Sequence, residues 1–375
     1  MYNELKHNVC SRCLMDTTAS DIKFDRNNHC NYCTDFLNKY KKENYKKELN
    51  FDQLIETIKK EGKNKKYDCI VGVSGGVDSS FVLYKVVEFG LRPLAVHLDN
   101  GWNSELAQNN ISNLVKKLNV DLYTKIVDWE EYRNLQEAFF ASNVIDIELL
   151  LDNAMLAINY QMAEKNNTKY ILSGTNTSTE GFKIPSNWSW FKNDKKNIYS
   201  IAKKFKNIKP KTMPTFGTFN FIYYEILKKI KWVLFLDYLN YIKEDAIAIL
   251  EKSCDFKKYP YKHYESVFTR FYQGYILPKK FNVDKRKLHL SNLICTDQMS
   301  RDEAISLLQQ PCYLNEEDEK KDKKFFLKKM EWSEEKLENY IKQKEISHDK
   351  YGSEKKFWTL LKDIYQKYNL KYFIN

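Results

Sequence analysis

Proline and glycine are scarce in this chain of 375 residues, at seven and 11 respectively. That scarcity excludes long flexible linkers and Pro- or Gly-rich spacers. No apolar run reaches the roughly 18 residues that a membrane-spanning helix needs. The nearest approach, Trp232 to Ile242, is shorter and carries Asp237. A buried or partner-facing helix is the expectation there. Met1 to His7 is polar and no apolar core follows it, so no secretory leader is expected and a cytoplasmic location is. Gly-Lys-Ser/Thr does not occur at phosphate-loop spacing, and no dinucleotide fingerprint is present.

What is present is globular in composition, and the length suffices for two or three domains. The net charge of +11 is uneven. Residues 1–66 carry +4, residues 67–175 carry −6, and the remaining 200 carry +13. Any phosphate bound in the acidic middle must therefore be held locally, by backbone and dipoles. The basic C-terminal excess fits an anionic substrate, a nucleic acid or a solvated Lys-rich surface. Eight cysteines in a cytoplasmic chain point to metal or thiol use rather than disulfides.

Four of those cysteines form two knuckles, Cys10-x-x-Cys13 and Cys30-x-x-Cys33, with 16 residues between them. This spacing can supply four thiolates to one tetrahedral Zn²⁺. Few large apolar residues lie between the knuckles, so metal binding would supply much of the segment's folding energy. With no ligand position left open, the ion would be structural. Basic residues follow at Lys39, Lys41, Lys42, Lys46 and Lys47, and read as a solvated face.

The chain is organised around Ser74-Gly75-Gly76-Val77-Asp78-Ser79. An apolar run, Cys69 to Val73, precedes it, and a helical pattern with Phe81, Val82, Tyr84, Val86 and Phe89 follows. Strand, glycine turn and helix in that order put the turn at a helix N-terminus. Unpaired N–H groups and the helix dipole gather there and make an anion site. Val73 to Ser79 are the candidate phosphate-binding residues. Asp78 adds negative charge to that cradle, which a bound Mg²⁺ or an N-cap role would explain. The motif SGGVDS resembles the pyrophosphate loop of the ATP-pyrophosphatase superfamily, whose members split ATP into AMP and pyrophosphate while adenylating an oxygen.

Strand and helix patterns alternate through residues 67–175, which argues an α/β fold with a doubly wound parallel sheet. Further strands are expected at Pro93–Leu98, Leu122–Val127 and Tyr170–Gly174. Ligands of such sheets sit at the carboxyl ends of the strands. Three loops should meet there: SGGVDS, Asp99 to Trp102, and Gly174 to Gly181. Leu98, Asp99 and Gly174 are candidate nucleotide contacts, and Asn176 and Glu180 could face the reacting centre. His97 reads as a core or strand-edge histidine. Domain boundaries follow as a zinc-knuckle segment and linker helix at 1–50, a nucleotide domain at 51–181, and a helical insertion with the C-terminal region at 182–375. Phe219 to Leu250 reads as helical.

A second block runs from Lys262-His263-Tyr264-Glu265 through Arg270, Gly274, Lys279, Lys280 and Phe281 to Arg286, His289 and Ile294. Histidines, arginines and lysines are interleaved here with aromatics. Such cations can clamp phosphate or carboxylate; a salt-bridged pair of helices is the alternative.

The knuckles, SGGVDS and the block KHYES…FTRFYQGYILPKKF…DKRK.HLSNLI together resemble the N-acetyl sugar amidotransferases of bacterial surface-glycan synthesis. Those enzymes make acetamidino forms of pseudaminic or legionaminic acid for flagellin, or of uronic-acid sugars for lipopolysaccharide O-antigen. The resemblance runs from Cys10 to about Ala304 and implies an adenine nucleotide alpha hydrolase-like sheet. It implies ATP, Mg²⁺ and a structural Zn²⁺, and conversion of an N-acetyl group to an acetamidine through an adenylated intermediate. Catalytic roles would fall on Asp78, Asn176, Glu180, His263, Arg270 and Lys280. Glu265, Arg270, Lys279, Lys280, Arg286 and His289 would contact the sugar. No Cys-His or Ser-His glutaminase arrangement is visible, so a partner glutaminase and a barrel subunit like those of histidine biosynthesis would supply ammonia. The alternative is a tRNA-modifying thiolase or lysidine-type synthetase, which also joins such loops to zinc ribbons. Reactive cysteines beside the loop are missing, and nucleic acid is not the expected partner.

Overall fold

The computed structural model describes residues 8–48, 50–259, 265–313 and 315–367. Five strands form one parallel sheet: β1 (Cys69–Gly72), β2 (Pro93–Asp99), β3 (Leu122–Ile126), β4 (Tyr170–Ser173) and β5 (Lys231–Leu234), in the order β3-β2-β1-β4-β5. The order turns back at β1, so the crevice between the carboxyl ends of β1 and β4 is the switch point.

Side-chain alternation assigns the two faces. Cys69, Val71, Ala95, Tyr170 and Leu172 belong to one core. Ile70, Leu94, Val96 and Ile171 belong to the other. The first face is covered by α2 (Phe51–Gly62), α3 (Val77–Glu88), α4 (Glu105–Leu118) and a later helix, Lys243–Cys254. The second is covered by α5 (Trp129–Ser142) and α6 (Leu149–Lys165). Helix α6 feeds β4, so it begins at the carboxyl edge of the sheet and runs back to the amino edge.

Scarce glycine is compensated by asparagine. Asn28, Asn119, Asn143, Asn167, Asn207 and Asn282 all take positive φ. Asn119 and Asn143 do so as C-caps of α4 and α5, since asparagine tolerates the left-handed region better than most residues.

The doubly wound sheet agrees with the sequence reading, but the expected helical insertion at 182–250 needs correction. It contributes β5, which pairs with β4 from Tyr170↔Lys231 to Ser173↔Leu234. The expected helix over Trp232 to Ile242 is instead the rest of β5 and a 3₁₀ turn, Phe235–Tyr238. The sheet therefore extends past the expected boundary at 181. Around it stand α7 (Thr177–Glu180), α8 (Lys195–Lys206), α9 (Thr218–Phe221) and α10 (Lys243–Cys254).

The C-terminal region is helical. It comprises α11 (Val267–Phe271), continued as a π-helix over Tyr272–Phe281, then α12 (Arg286–Cys295), α13 (Arg301–Gln309), α14 (Glu316–Met330), α15 (Glu334–Lys342) and α16 (Lys355–Lys367). Phe268, Phe271, Phe326 and Leu337 from this region share one core with α5, α6 and the four knuckle cysteines. No helix among the described residues is long and apolar enough to cross a membrane.

Candidate active site

The loop after β1 occupies the switch point. Gly75 holds φ at +83°, and a Cβ there would meet the Ala107 carbonyl oxygen at 2.7 Å. Only glycine permits both this backbone and this approach to α4. The Tyr259 hydroxyl donates to the Gly75 carbonyl at 2.8 Å and pins the turn. Ser74 and Ser79 brace it from within. Ser79 Oγ accepts from Ser74 N at 3.2 Å, and Ser74 Oγ accepts from Gly76 N at 3.3 Å. The N-cap of α3 is Gly76, which has no side chain to cap the first turn. Those N–H groups and the positive end of the helix face the crevice. Gly174, at the end of β4, presses against this turn: a Cβ there would lie 2.7 Å from Ser79 N.

Two carboxylates stand at this turn, one from distant sequence and one from the turn itself. Glu265 Oε1 lies 3.6 Å from where a Cβ on Gly76 would stand. A short two-segment pairing holds it there. Asn103 bridges Ser266, Ser104 N donates to Glu265 O at 2.8 Å, and Val267 N donates to Trp102 O at 3.0 Å. Asp78, in the first turn of α3, accepts a hydrogen bond from the Tyr241 hydroxyl. Burial pushes the Tyr241 hydroxyl well up, and the negative charges of Asp78 and then Glu180 add to it. Glu180 therefore stands in the same field. Carboxylates at an anion cradle repel a polyphosphate unless a hard cation lies between, and oxygen ligands of this kind suit Mg²⁺. The residues present fit such an ion.

The loop after β2 is self-braced. Asp99 Oδ1 accepts from Gly101 N at 2.8 Å and from Asn103 Nδ2 at 3.2 Å. Leu98 is buried in the core. Lys329 of α14 donates to the Gly101 carbonyl and stacks its ammonium 4.4 Å from the Trp129 ring centroid. His97 bridges the two loops. Asn103 Nδ2 donates to its Nε2 at 2.9 Å, so Nδ1–H donates to the Val73 carbonyl at 2.8 Å. Burial lowers its pKa and keeps it neutral. It is a buried histidine of an interior strand, in line with the core reading.

Other expected site residues sit elsewhere. Asn176 is buried, and its side chain caps α7 by accepting from Thr179 N at 2.9 Å and donating to Gly174 O at 3.2 Å. This corrects its expected place at the reacting centre. Arg270 makes a two-pronged ion pair with Asp322 of α14. Lys280 Nζ donates to Asn143 Oδ1, Tyr340 O and Gln343 O at 2.9, 2.6 and 2.7 Å, and burial lowers its pKa to about 8. Lys279 lies 3.6 Å from Glu319 Oε1 and the same distance from the Tyr275 ring centroid. Arg286 pairs with Asp284 and donates to the Leu308 carbonyl in the last turn of α13 and to the Gln310 and Pro311 carbonyls just beyond it. These four cations tie the C-terminal helices together, which corrects the expectation that they clamp a sugar. His289 contacts the Thr179 carbonyl at 3.2 Å, behind α7. His263 lies outside the described residues.

The four knuckle sulfurs lie within 4.8 Å of one another and are buried. Neighbouring pairs stand 3.6 to 3.8 Å apart. A tetrahedral ion with sulfur bonds of about 2.3 Å needs sulfurs about 3.8 Å apart. Backbone N–H groups of Cys13, Cys30 and Cys33 point at knuckle sulfurs at 3.2 to 3.5 Å, which stabilises thiolates. The knuckle sulfurs are placed to hold a metal ion. A fifth sulfur, Cys295 at the end of α12, is hydrogen-bonded with Cys33, a neighbour that spacing alone did not reveal.

Residues 265–365 match the family described as "LPS biosynthesis protein WbpG-like, C-terminal domain". The uncharacterized protein MJ1599 of Methanocaldococcus jannaschii is 35% identical over 115 residues, 30% of this chain and 40% of its own length. Among solved structures, the NH3-dependent NAD synthetase of Campylobacter jejuni is 15% identical, with a TM-score of 0.28, over 55% of this chain and 92% of that one. The U34-tRNA thiolase NcsA of Methanococcus maripaludis, solved with its [4Fe-4S] cluster, is 13% identical, with a TM-score of 0.32, over 80% of this chain and 88% of that one. Likeness at these levels carries no weight for the reaction.

Proposed function

Residues 265–365 match the WbpG-like proteins of LPS biosynthesis, and from that premise we propose that this chain is an ATP-dependent, AMP-forming amidotransferase. Its acceptor is the N-acetyl group of an anionic bacterial surface sugar, and its product is the acetamidine. The observation that carries this reading is Glu265: the first residue of the sugar-pathway domain stands against the phosphate loop.

The amide oxygen attacks the α-phosphorus of ATP, forming an O–P bond as pyrophosphate leaves. Ammonia then adds to the activated carbon, and AMP departs with the former amide oxygen. Activation is needed because an amide is a poor electrophile. The N–H groups of the α3 first turn and the Ser74 and Ser79 hydroxyls hold the leaving pyrophosphate. Asp78 and Glu265 are the residues that would hold Mg²⁺, which supplies charge neutralisation when bound. Tyr241 orients Asp78. Cys10, Cys13, Cys30 and Cys33 would hold Zn²⁺ in a structural role, since four thiolates would leave it no open position. A partner glutaminase with a barrel subunit supplies the ammonia.

Product analysis tests the reading. ATP, ammonium and an N-acetylated sugar acid should yield AMP and pyrophosphate, each requiring the sugar. ADP and phosphate would contradict it.

A further inference from the structure

A second group of polar side chains stands at the carboxyl edge of the sheet, on the face opposite α3. Three of them surround the start of α6: Asp146, Glu148 and Asp152. Lys192 comes from the segment after β4, and Gln273 and Lys285 come from the WbpG-like domain. Lys192 Nζ bonds Asp146 Oδ2 at 2.6 Å and Asp152 Oδ2 at 2.8 Å. Lys285 Nζ bonds Glu148 Oε2 at 2.6 Å, and Gln273 Nε2 donates to both Glu148 oxygens at 2.9 and 3.1 Å. The buried Tyr132 phenol, close to Asn100 at the end of β2, feels both Asp152 and Glu148. Tyr132 thus stands between this group and the end of β2.

The depth of these groups is graded. Asp146 and Glu148 expose 2% and 8% of their side chains, whereas Lys192, Lys285 and Asp152 expose 28%, 20% and 35%. The buried carboxylates fix the lysines from behind, and the lysine heads and Asp152 remain reachable. Burial nevertheless lifts the Asp152 carboxyl above its usual range. Lys192, Lys285 and Asp152 are thus partly exposed beside two buried carboxylates.

Bonding capacity identifies the ligand class. An ammonium has three N–H donors. Two on Lys192 and one on Lys285 are engaged by these carboxylates, leaving donors on both. Asp152 Oδ1 and Gln273 Oε1 add acceptors. Three carboxylates face two ammoniums, so the group is a poor trap for a bare phosphate. Mixed donors and acceptors suit hydroxyls, which need both. We propose that Asp152, Lys192, Lys285 and Gln273 form the subsite that holds the hydroxyls of the acceptor sugar, in place of Arg270, Lys280 and Arg286. This rests on the sugar-amidotransferase reading above and deepens it.

The test starts with a panel of N-acetylated sugars and uronic acids, free and UDP-linked, assayed for sugar-dependent pyrophosphate release. Asp152→Asn and Gln273→Leu are then assayed with the sugar that responds. Both variants keep the buried pairs Asp146–Lys192 and Glu148–Lys285. Gln273→Leu also removes two hydrogen bonds from the buried Glu148 and should melt lower, so both are assayed well below their melting temperatures. The expected result is a rise of about 10-fold or more in KM for the sugar with KM for ATP unchanged. A deoxy analogue lacking the contacted hydroxyl should lose this difference between wild type and variant. An unchanged sugar KM in both variants, or equal loss for sugar and ATP, overturns the subsite and leaves the function standing. No response from any panel member overturns the function and the subsite with it.

Discussion

At the scale of single residues, Glu265 decides most. Its carboxylate faces the loop across the space above Gly76, where a nucleotide's phosphates and a cation would meet. Glu265→Gln keeps size and removes charge. It should lower kcat for pyrophosphate release by about 100-fold and raise the Mg²⁺ concentration needed for half activity. A variant with wild-type kcat and Mg²⁺ dependence would remove Glu265 from the site. His348 makes a second prediction. It is buried, its Nδ1–H donates to Asn197 Oδ1 at 2.7 Å, and its Nε2 accepts from Asp146 N at 3.2 Å. A proton on Nε2 would confront that N–H. Burial accordingly pushes its pKa down to about 4 from an ordinary 6.5. Between those values the unfolded chain binds the extra proton, so this contribution to stability is complete above pH 6.5 and is lost as pH falls toward 4. The loss at pH 5 is about 2 kcal/mol. An NMR titration checks it: the His348 ring should stay neutral to about pH 4, and a midpoint near 6.5 would contradict the packing. At this scale the sequence was legible where chemistry is local, as in Gly75 and the knuckle cysteines. It was not legible for Asp146, Lys192 or Lys285, which are unremarkable until the fold brings them together.

Secondary-structure elements divide the same way. The strands β1, β2 and β4 were readable because each is an apolar run flanked by turn signals. β5 was not, because four residues, Lys231-Trp232-Val233-Leu234, leave helix and strand periodicities indistinguishable. Only the free edge of β4 selects the extended form. The C-terminal cations misled for a related reason: a clamp for an anion and a salt-bridged helix pair have the same composition. The knuckle, by contrast, joins local and distant structure. Leu14 N donates to Ser291 Oγ at 2.9 Å, Arg301 donates to Cys10 O at 3.2 Å, and Lys287 pairs with Asp16 at 2.5 Å. The ion should therefore hold α12 as well as its own loops. Metal analysis should give one Zn²⁺ per chain, and chelation should raise amide exchange in α12 along with that in the knuckle. Folded, active protein with almost no metal would refute this.

Across the whole molecule, the acidic segment 67–175 and the basic C-terminal region share one core, and each supplies part of the crevice at the carboxyl edge. Charge bookkeeping along the sequence suggested two separate binding regions. The structure instead places a C-terminal carboxylate at the phosphate loop and a C-terminal lysine, Lys329, on the β2 loop. The central claim is that ATP activates the acceptor's own amide oxygen. The most direct measurement uses an acceptor sugar labelled with ¹⁸O in its acetamido oxygen, incubated with ATP and ammonium, with mass spectrometry of both products. The expected products are AMP carrying one ¹⁸O in its phosphate and an acetamidino sugar that has lost the label. Unlabelled AMP, with the ¹⁸O still on the sugar, would contradict it.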